Sequence, residues 1–477
     1  MRNWQGQKVV IIGAARQGIA LARYLVAAGA RVILNDQLPA SQLQSAQQAL
    51  ADLSIEWVCG GHPLSLLEGT DCVCPSGGVP FDLPLLEEAR QRGIAITNDS
   101  QIFLECVPCP VIGITGSAGK TTTTMLVGRI AEHAGQQGAP FPRRVWVGGN
   151  IGNPLIASLG EISQDDLVVM ELSSFQLEVM TISPQFAVIL NITPNHLDRH
   201  KTMAAYTAAK ARLLDFQPRG SQPMETWGNP AKACAAVLGR EDSIAWGLVE
   251  RAHCPVWFFG HDLVDRQFPG AFVSEGWVCI WNGTDVSRVM PVSEIQLRGR
   301  HNLLNVLAAC AVSAAAGLSF EAMRRGISSF NGAPHRLEFV RSWGGARWYN
   351  DSIATAPERS MAALRSFDEP IVLLAGGRDK DLPWDDFARL VRQRVDHLIL
   401  FGECAEKIHK AVGDPLPGER PFTLAVCKDL YSAVQQAARI VESGDVVLLS
   451  PGGTSFDEFR DFEARGEAFR KWVQELS

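Results

Sequence analysis

The chain has 477 residues, 46% hydrophobic and 20% charged, which is the balance of a water-soluble globular protein. Its formal charge of −7, with no dense Lys/Arg block, argues against nucleic acid or an anionic membrane surface as a main partner. Eleven scattered cysteines argue against a disulfide framework and fit a reducing cytoplasm. No apolar run reaches the roughly 18–20 residues of a membrane span, and the N-terminus passes directly into a strand without a signal-peptide core.

The length predicts about two to four domains, and three blocks of alternating strand and helix patterns follow. The first opens with a strand at Lys8–Gly13, a turn, a helix pattern over Ile19–Gly29 and a second strand closing at Asn35-Asp36. That β-α-β order is the layout of a dinucleotide-binding unit. The turn Gly13-Ala-Ala-Arg-Gln-Gly18 places Ala15 where the second glycine of G-x-G-x-x-G would let a pyrophosphate approach. A Rossmann-like unit for another nucleotide is therefore as well supported as an NAD site.

The second block opens with the most informative segment, Gly113-Ile-Thr-Gly-Ser-Ala-Gly-Lys-Thr-Thr-Thr123. A hydrophobic strand leads into a glycine-rich turn and then a helix, so backbone N–H groups and the helix start face an anion. Lys120 adds a mobile positive charge and the Thr121 hydroxyl can ligate Mg²⁺, which predicts a site for ATP or GTP. The spacing departs from the strict phosphate-loop pattern, with Ile114 where a glycine is usual. Strands Leu167–Glu171 and Phe186–Ile192 follow, and residues 216–290 read as a peripheral sheet or insertion. The third block begins after Pro334, with strands at 370–375, 397–401 and 445–450 spaced by helices. The expected fold is α/β in three domains: a Rossmann-like domain (1–108), a central phosphate-loop domain with a parallel sheet (109–332), and a second Rossmann-like domain (333–477).

Glu171 ends a strand and can take Mg²⁺ beside Thr121, or serve simply as a charge at a helix start. His196 can ligate a second Mg²⁺, orient a phosphate, or be a hydrogen-bonded loop residue. It stands four residues before His200, but Leu197 replaces the Glu of H-E-x-x-H, so a zinc protease reading fails. Lys210 lies in a helical run, where the residues by themselves favour a solvated face. The one C-x-x-C, Cys106–Cys109, lacks a second pair at zinc spacing.

Taken together and in order, these segments resemble the Mur ligase family, the ATP-dependent amide-forming enzymes of peptidoglycan synthesis. The resemblance rests on Gly113–Thr123, Gly148–Gly152, Glu171–Glu178, Asn191–Arg199, Tyr206–Lys210, His301–Asn305, Pro334–Arg336, Asn350–Ser352 and Leu449–Phe462, and covers essentially the whole chain. It implies that D-glutamate is added to UDP-N-acetylmuramoyl-L-alanine through an acyl phosphate, giving ADP and phosphate, with ATP and two Mg²⁺ (or Mn²⁺). It further implies a cytoplasmic monomer with small-molecule partners only, neither nucleic acid nor membrane.

By the same resemblance Lys120, Glu171, His196 and a carbamylated Lys210 are catalytic, and Thr121, Glu171, His196 and Lys210 hold the metals. ATP falls to Gly113, Thr115, Gly116, Ser117, Ala118, Gly119, Lys120, Thr121, Thr122, Asn302, Asn305, Arg336 and Asp351. The UDP substrate falls to Arg16, Gln17, Asn35, Asp36, Ser76, Gly78, Asn150, Ser173 and Gln176, and glutamate to Lys380, Ser455 and Phe462.

Two positions depart from the family pattern. Ala118 stands where Asn is usual in the phosphate loop, and Ile353 stands where many D-glutamate-adding members carry Lys. Losing a cation near anionic ligands leaves L-glutamate as an alternative amino acid. Another Mur or folylpolyglutamate-type ligase, an NAD-dependent oxidoreductase and a catalytically silent nucleotide binder are the remaining alternatives.

Overall fold

A computed structural model describes residues 2–136, 141–218, 233–263 and 266–477. Three sheets organise them. The first has strands β1 (Lys8–Ile12), β2 (Arg31–Asp36), β3 (Glu56–Cys59), β4 (Cys72–Pro75) and β5 (Ala95–Ile96), all parallel in the order β3-β2-β1-β4-β5. Val9, Val10, Ile11 and Ile12 are all fully buried, because a parallel sheet is covered on both faces and wants continuous apolar runs. Helix α1 (Arg16–Ala27) packs Leu21, Ala22 and Leu25 against it.

The second sheet has nine strands in the order β14-β13-β12-β11-β10-β9-β6-β8-β7. They are β6 (Val111–Thr115), β7 (Val145–Gly149), β8 (Leu167–Glu171), β9 (Phe186–Ile189), β10 (Ala235–Gly239), β11 (Val256–Phe259), β12 (Gly270–Ser274), β13 (Trp277–Trp281) and β14 (Val286–Pro291). Strand β6 lies between β8 and β9, so connections leave it in both directions, and the crevice outside such a strand's C-terminal end is where ligands bind in open α/β sheets. Helix α2 (Lys120–Gln136) starts at that crevice, and α3 (Met203–Asp215) and α4 (Arg300–Ala315) follow in sequence.

Residues 216–290, expected as a peripheral sheet or insertion, supply strands at one edge of the central sheet. Strand β10 joins β9 in parallel register and β11 and β12 continue outward, so the segment extends the central sheet before turning antiparallel at β12–β14. The part of that stretch at 219–232 and 264–265 lies outside the described residues. No disulfide framework is expected from the sequence, and one bond occurs among the described residues, between Cys234 and Cys254. Ala236 pairs with Val256 in the β10–β11 register, which aligns the two cysteines one pleat earlier. Nine other described cysteines are free, Cys106 and Cys109 among them.

The third sheet has β15 (Glu338–Trp343), β16 (Ala346–Asn350), β17 (Ile371–Gly376), β18 (His397–Phe401), β19 (Thr423–Val426) and β20 (Val446–Gly452), in the order β15-β16-β20-β17-β18-β19. Only the β15–β16 edge is antiparallel. Helix α5 (Phe462–Gln474) closes the chain, its start capped by the Asp461 side chain. By internal contacts the first two sheets form one unit, residues 1–295 with 301–329. The third sheet forms another, residues 330–477 with 296–300.

Candidate active site

In the first unit the β6–α2 turn is shaped by its glycines. Gly119 has φ +84°, and a Cβ there would lie 2.2 Å from Asn305 Oδ1. At Gly116 a Cβ would press to 2.9 Å from Leu190 Cβ, and at Gly113 to 2.4 Å from Pro184 Cγ. The loop is held from outside as well. Asn191 accepts from the Ala118 N–H at 2.9 Å and donates back to the Ala118 carbonyl at 3.2 Å. The Ser117 hydroxyl meets the Thr193 carbonyl and the Tyr206 hydroxyl, each at 3.0 Å. Thr123 reaches Asn305 at 3.4 Å, and Asn305 donates to Asn302 at 3.0 Å, so this asparagine pair on α4 braces the start of α2. Thr115 donates to the Leu172 carbonyl and Thr122 is buried.

Glu171, at the end of β8, is the junction of the site. One carboxylate oxygen accepts from the Thr121 hydroxyl at 2.8 Å, the other from the Asn150 amide at 3.0 Å. Lys120 folds over the loop and donates to the Gly116 carbonyl at 3.0 Å. A hydroxyl and a carboxylate side by side at a glycine cradle are hard oxygen donors of the kind Mg²⁺ selects, so these residues fit that ion. No cluster of three His, Cys, Asp or Glu side chains able to hold a metal occurs among the described residues.

Lys210 overturns the solvated-face reading. It is 1% exposed, and its Nζ donates to the Gly116 carbonyl at 2.9 Å and to Thr115 Oγ1 at 3.3 Å. Burial, reinforced by the Lys120 charge, holds its amine well below the ordinary lysine value. His196 sits at φ +54°, at the start of the short helix Leu197–His200, with its ring 5.0 Å from that of Phe175. Partial burial and the charge of Lys120 keep it below the usual imidazole value. Three residues on, Arg199 donates to the Gly77 carbonyl at 2.9 Å and to that of Val79, with its guanidinium 3.8 Å over Phe175.

A cavity of about 420 Å³ lies between the first two sheets, and Arg16, Gln17, Asp36, Ser76, Gly78 and Asn150 all line it. Asp36 is fixed by the Ala14 and Leu38 N–H groups. Asn35 does not line the cavity. It is fully buried, bonded to the Val58 and Gly61 carbonyls, and it holds His62, which does line it. Ser173 and Gln176 are likewise absent from the wall, being spent on a capping box for the helix Ser174–Leu177.

In the second unit Asp351 is buried, accepting from Ser450 at 2.8 Å and from the Leu337 N–H at 3.2 Å, and burial pushes its carboxyl up to about 7. Arg336 follows His335 at the start of this unit. Lys380 is exposed just past β17, whereas Ser455 is buried and the Phe462 carbonyl accepts from Ser352 at 2.8 Å. Residue-level sequence reading gave no role to Asn191, Arg199, Tyr206 or His62. The first three stand within polar strand-end and helix segments, a weak signal, and nothing local marks His62.

Comparison with known proteins agrees with this layout. Residues 7–98 match the model of a Mur ligase MurD-like N-terminal domain, 114–313 the Mur ligase middle domain, and 335–453 the Mur ligase glutamate ligase domain. A UDP-N-acetylmuramoylalanine–D-glutamate ligase of Symbiobacterium thermophilum is 40% identical over 99% of this chain and 98% of its own. A protein of the same name from Caldanaerobacter subterraneus subsp. tengcongensis is 37% identical over 98% of each chain. Among solved structures, UDP-N-acetylmuramate-alanine ligase MurC of Thermotoga maritima superposes with TM-score 0.55 at 18% identity, over 98% of this chain and 99% of its own. MurF of Acinetobacter baumannii gives 0.54 at 18%, over 100% of this chain and 92% of its own. These two show a shared fold.

Proposed function

This chain belongs to the Mur ligase family, and we propose that within it the protein joins D-glutamate to UDP-N-acetylmuramoyl-L-alanine at the expense of ATP. The observation that carries the proposal is the double engagement of Glu171. One oxygen meets Thr121 of the phosphate loop, the other Asn150 of the cavity wall, so a nucleotide-sugar cavity and a phosphate cradle share one carboxylate. The relatives named D-glutamate ligases over nearly the whole chain support the choice of substrates.

On this reading the cavity residues Arg16, Gln17, Asp36, Ser76 and Gly78 hold the UDP end and direct the alanine carboxylate toward the cradle. The glycine turn and Lys120 hold the ATP phosphates and neutralise their charge. The alanine carboxylate oxygen bonds to the γ-phosphorus as ADP leaves. The glutamate amine nitrogen then bonds to the acyl carbon and gives up a proton to solvent, and inorganic phosphate departs with the electrons of the C–O bond. Thr121 and Glu171 would hold Mg²⁺, whose charge offsets that of the transferring phosphoryl group. Burial holds the Lys210 amine well below the ordinary lysine value, which favours its addition to CO₂ with loss of a proton, and the resulting carbamate and His196 would hold a second Mg²⁺. Lys380, Ser455 and Phe462 take glutamate, and 1–108, 109–332 and 333–477 act as the substrate, ATP and amino-acid domains of a cytoplasmic enzyme. No described helix is long and apolar enough to cross a membrane.

The test is phosphate release with Mg-ATP and UDP-N-acetylmuramoyl-L-alanine, adding D- and L-glutamate in separate reactions. Release with D-glutamate alone is expected. Release with L-glutamate alone would keep the chemistry and reverse the stereochemistry, and silence with both would overturn the proposal.

A further inference from the structure

The C-terminal ends of the adjacent strands β16, β20 and β17 form one surface in the second unit. The Asp351–Ala354 turn follows β16, and the Gly452 N–H donates to the Ala354 carbonyl at 2.8 Å. Arg378 and Thr454 exchange both backbone hydrogen bonds at 2.8 Å, which sets the segment leading to Lys380 beside that leading to Ser455. Buried Arg465 locks the surface from below. Its guanidinium donates to the Ser352 carbonyl at 2.9 Å, to Gly453 at 3.1 Å and to Thr454 at 3.0 Å.

The cations around this surface are of two kinds. Arg378 is paired with Glu403 at 2.9 Å, and Lys407 is paired with Asp379. Arg359 and Lys380 have no carboxylate partner among the described residues. The Arg359 guanidinium donates only to the Ile353 carbonyl, at 3.3 Å, and Lys380 is engaged through its backbone N–H. The surface thus presents two positive groups outside any ion pair among the described residues: Arg359 beside the β16 turn, whose charge also acts on the buried Asp351 carboxyl, and Lys380 past β17, with the Thr454–Ser455 strand end between them. A dicarboxylic amino acid carries two anionic groups separated by a short chain, and each needs a cation when it leaves water.

We propose that Arg359 binds one carboxylate of the amino-acid substrate while Lys380 takes the other, making Arg359 a specificity-determining residue. The inference rests on the glutamate-ligase reading above. A guanidinium grips a carboxylate with two parallel N–H groups, so Arg359 contributes geometry as well as charge. The Ile353 carbonyl accepts from that guanidinium, so positions 353 and 359 are neighbours in this turn.

The experiment is steady-state phosphate release by the full chain with Mg-ATP and UDP-N-acetylmuramoyl-L-alanine, for wild type, R359S, R359K and R359S/I353K. In R359S the KM for glutamate rises roughly tenfold to a hundredfold, the range of one charge-assisted hydrogen bond, while the KM values for ATP and the UDP substrate stay within about twofold. R359K and R359S/I353K each recover part of the loss. Glutamine and isoglutamine each lack one carboxylate, and one of them is used no worse by R359S than by wild type. An unshifted glutamate KM in R359S, an equal rise in all three KM values, or equal further losses with both analogues would overturn the inference while leaving the ligase reading intact. A wild-type enzyme that releases no phosphate with glutamate would overturn both.

Discussion

The Lys210 Nζ donates to the Gly116 carbonyl at 2.9 Å across 94 residues of sequence, placing a fully buried lysine directly beneath the phosphate loop. A cation taken out of water with only neutral oxygen partners is a cost to the fold that function must justify. K210M is therefore expected to lose turnover by on the order of a hundredfold, with a melting temperature equal to or above wild type. A melting temperature that falls alongside activity would mark Lys210 as a structural residue.

Gly119 is required twice, by its φ of +84° and by Asn305 Oδ1 standing where a Cβ would go. G119A is expected to destabilise the first unit by about 1–3 kcal/mol and to raise the KM for ATP, leaving the KM for glutamate unchanged. Calorimetry and the two KM values check this, and an unshifted ATP KM would contradict the cradle.

Arg199 ties the His196 segment to the loop that lines the cavity between the first two sheets, through the Gly77 and Val79 carbonyls and the face of Phe175. It acts through that loop as a positioning residue. R199A is expected to raise the KM for UDP-N-acetylmuramoyl-L-alanine roughly tenfold while the ATP KM moves by less than about twofold, and R199K restores part of it. Equal effects on both substrates would show general disruption instead.

Asp351 carries a pH signature. Burial pushes its carboxyl up to about 7 in the folded protein, against about 4 in an unfolded chain. The folded state therefore binds this proton more tightly. The associated stability is fully present below about pH 4 and is lost as pH rises toward about 7. In D351N that part of the pH dependence disappears, so the melting temperatures of variant and wild type diverge least at low pH. Parallel curves from pH 4 to 8 would refute the assignment.

Local signals in the sequence were strong wherever one segment contains the whole device. The strand, glycine turn and helix of Val111–Gln136 form a phosphate cradle by themselves, because backbone geometry and a helix start need no distant partner. The Lys8–Asp36 unit was legible for the same reason. Lys210 was not. Its helix carries small residues on every side, so only packing against Tyr206 and the phosphate loop decides that this lysine points inward. Asn35 shows the same dependence on packing. It ends a strand as a ligand residue would, yet its amide is used up by the Val58 and Gly61 carbonyls.

What the sequence determined alone was the class: α/β blocks, a phosphate loop, and an ordered set of motifs that identify a Mur ligase. Periodicity, glycine turns and motif order are local or one-dimensional properties, and they survive without coordinates. Only the tertiary structure decided that Glu171 joins Thr121 to Asn150, that 235–259 extends the central sheet and aligns Cys234 with Cys254, and that Arg378 meets Glu403 while Arg359 enters no ion pair among the described residues. Each of these depends on register between strands distant in sequence, or on which charges meet across a packed surface. Hydrogen-bond partners and burial are set by the assembled fold, and no single segment carries them.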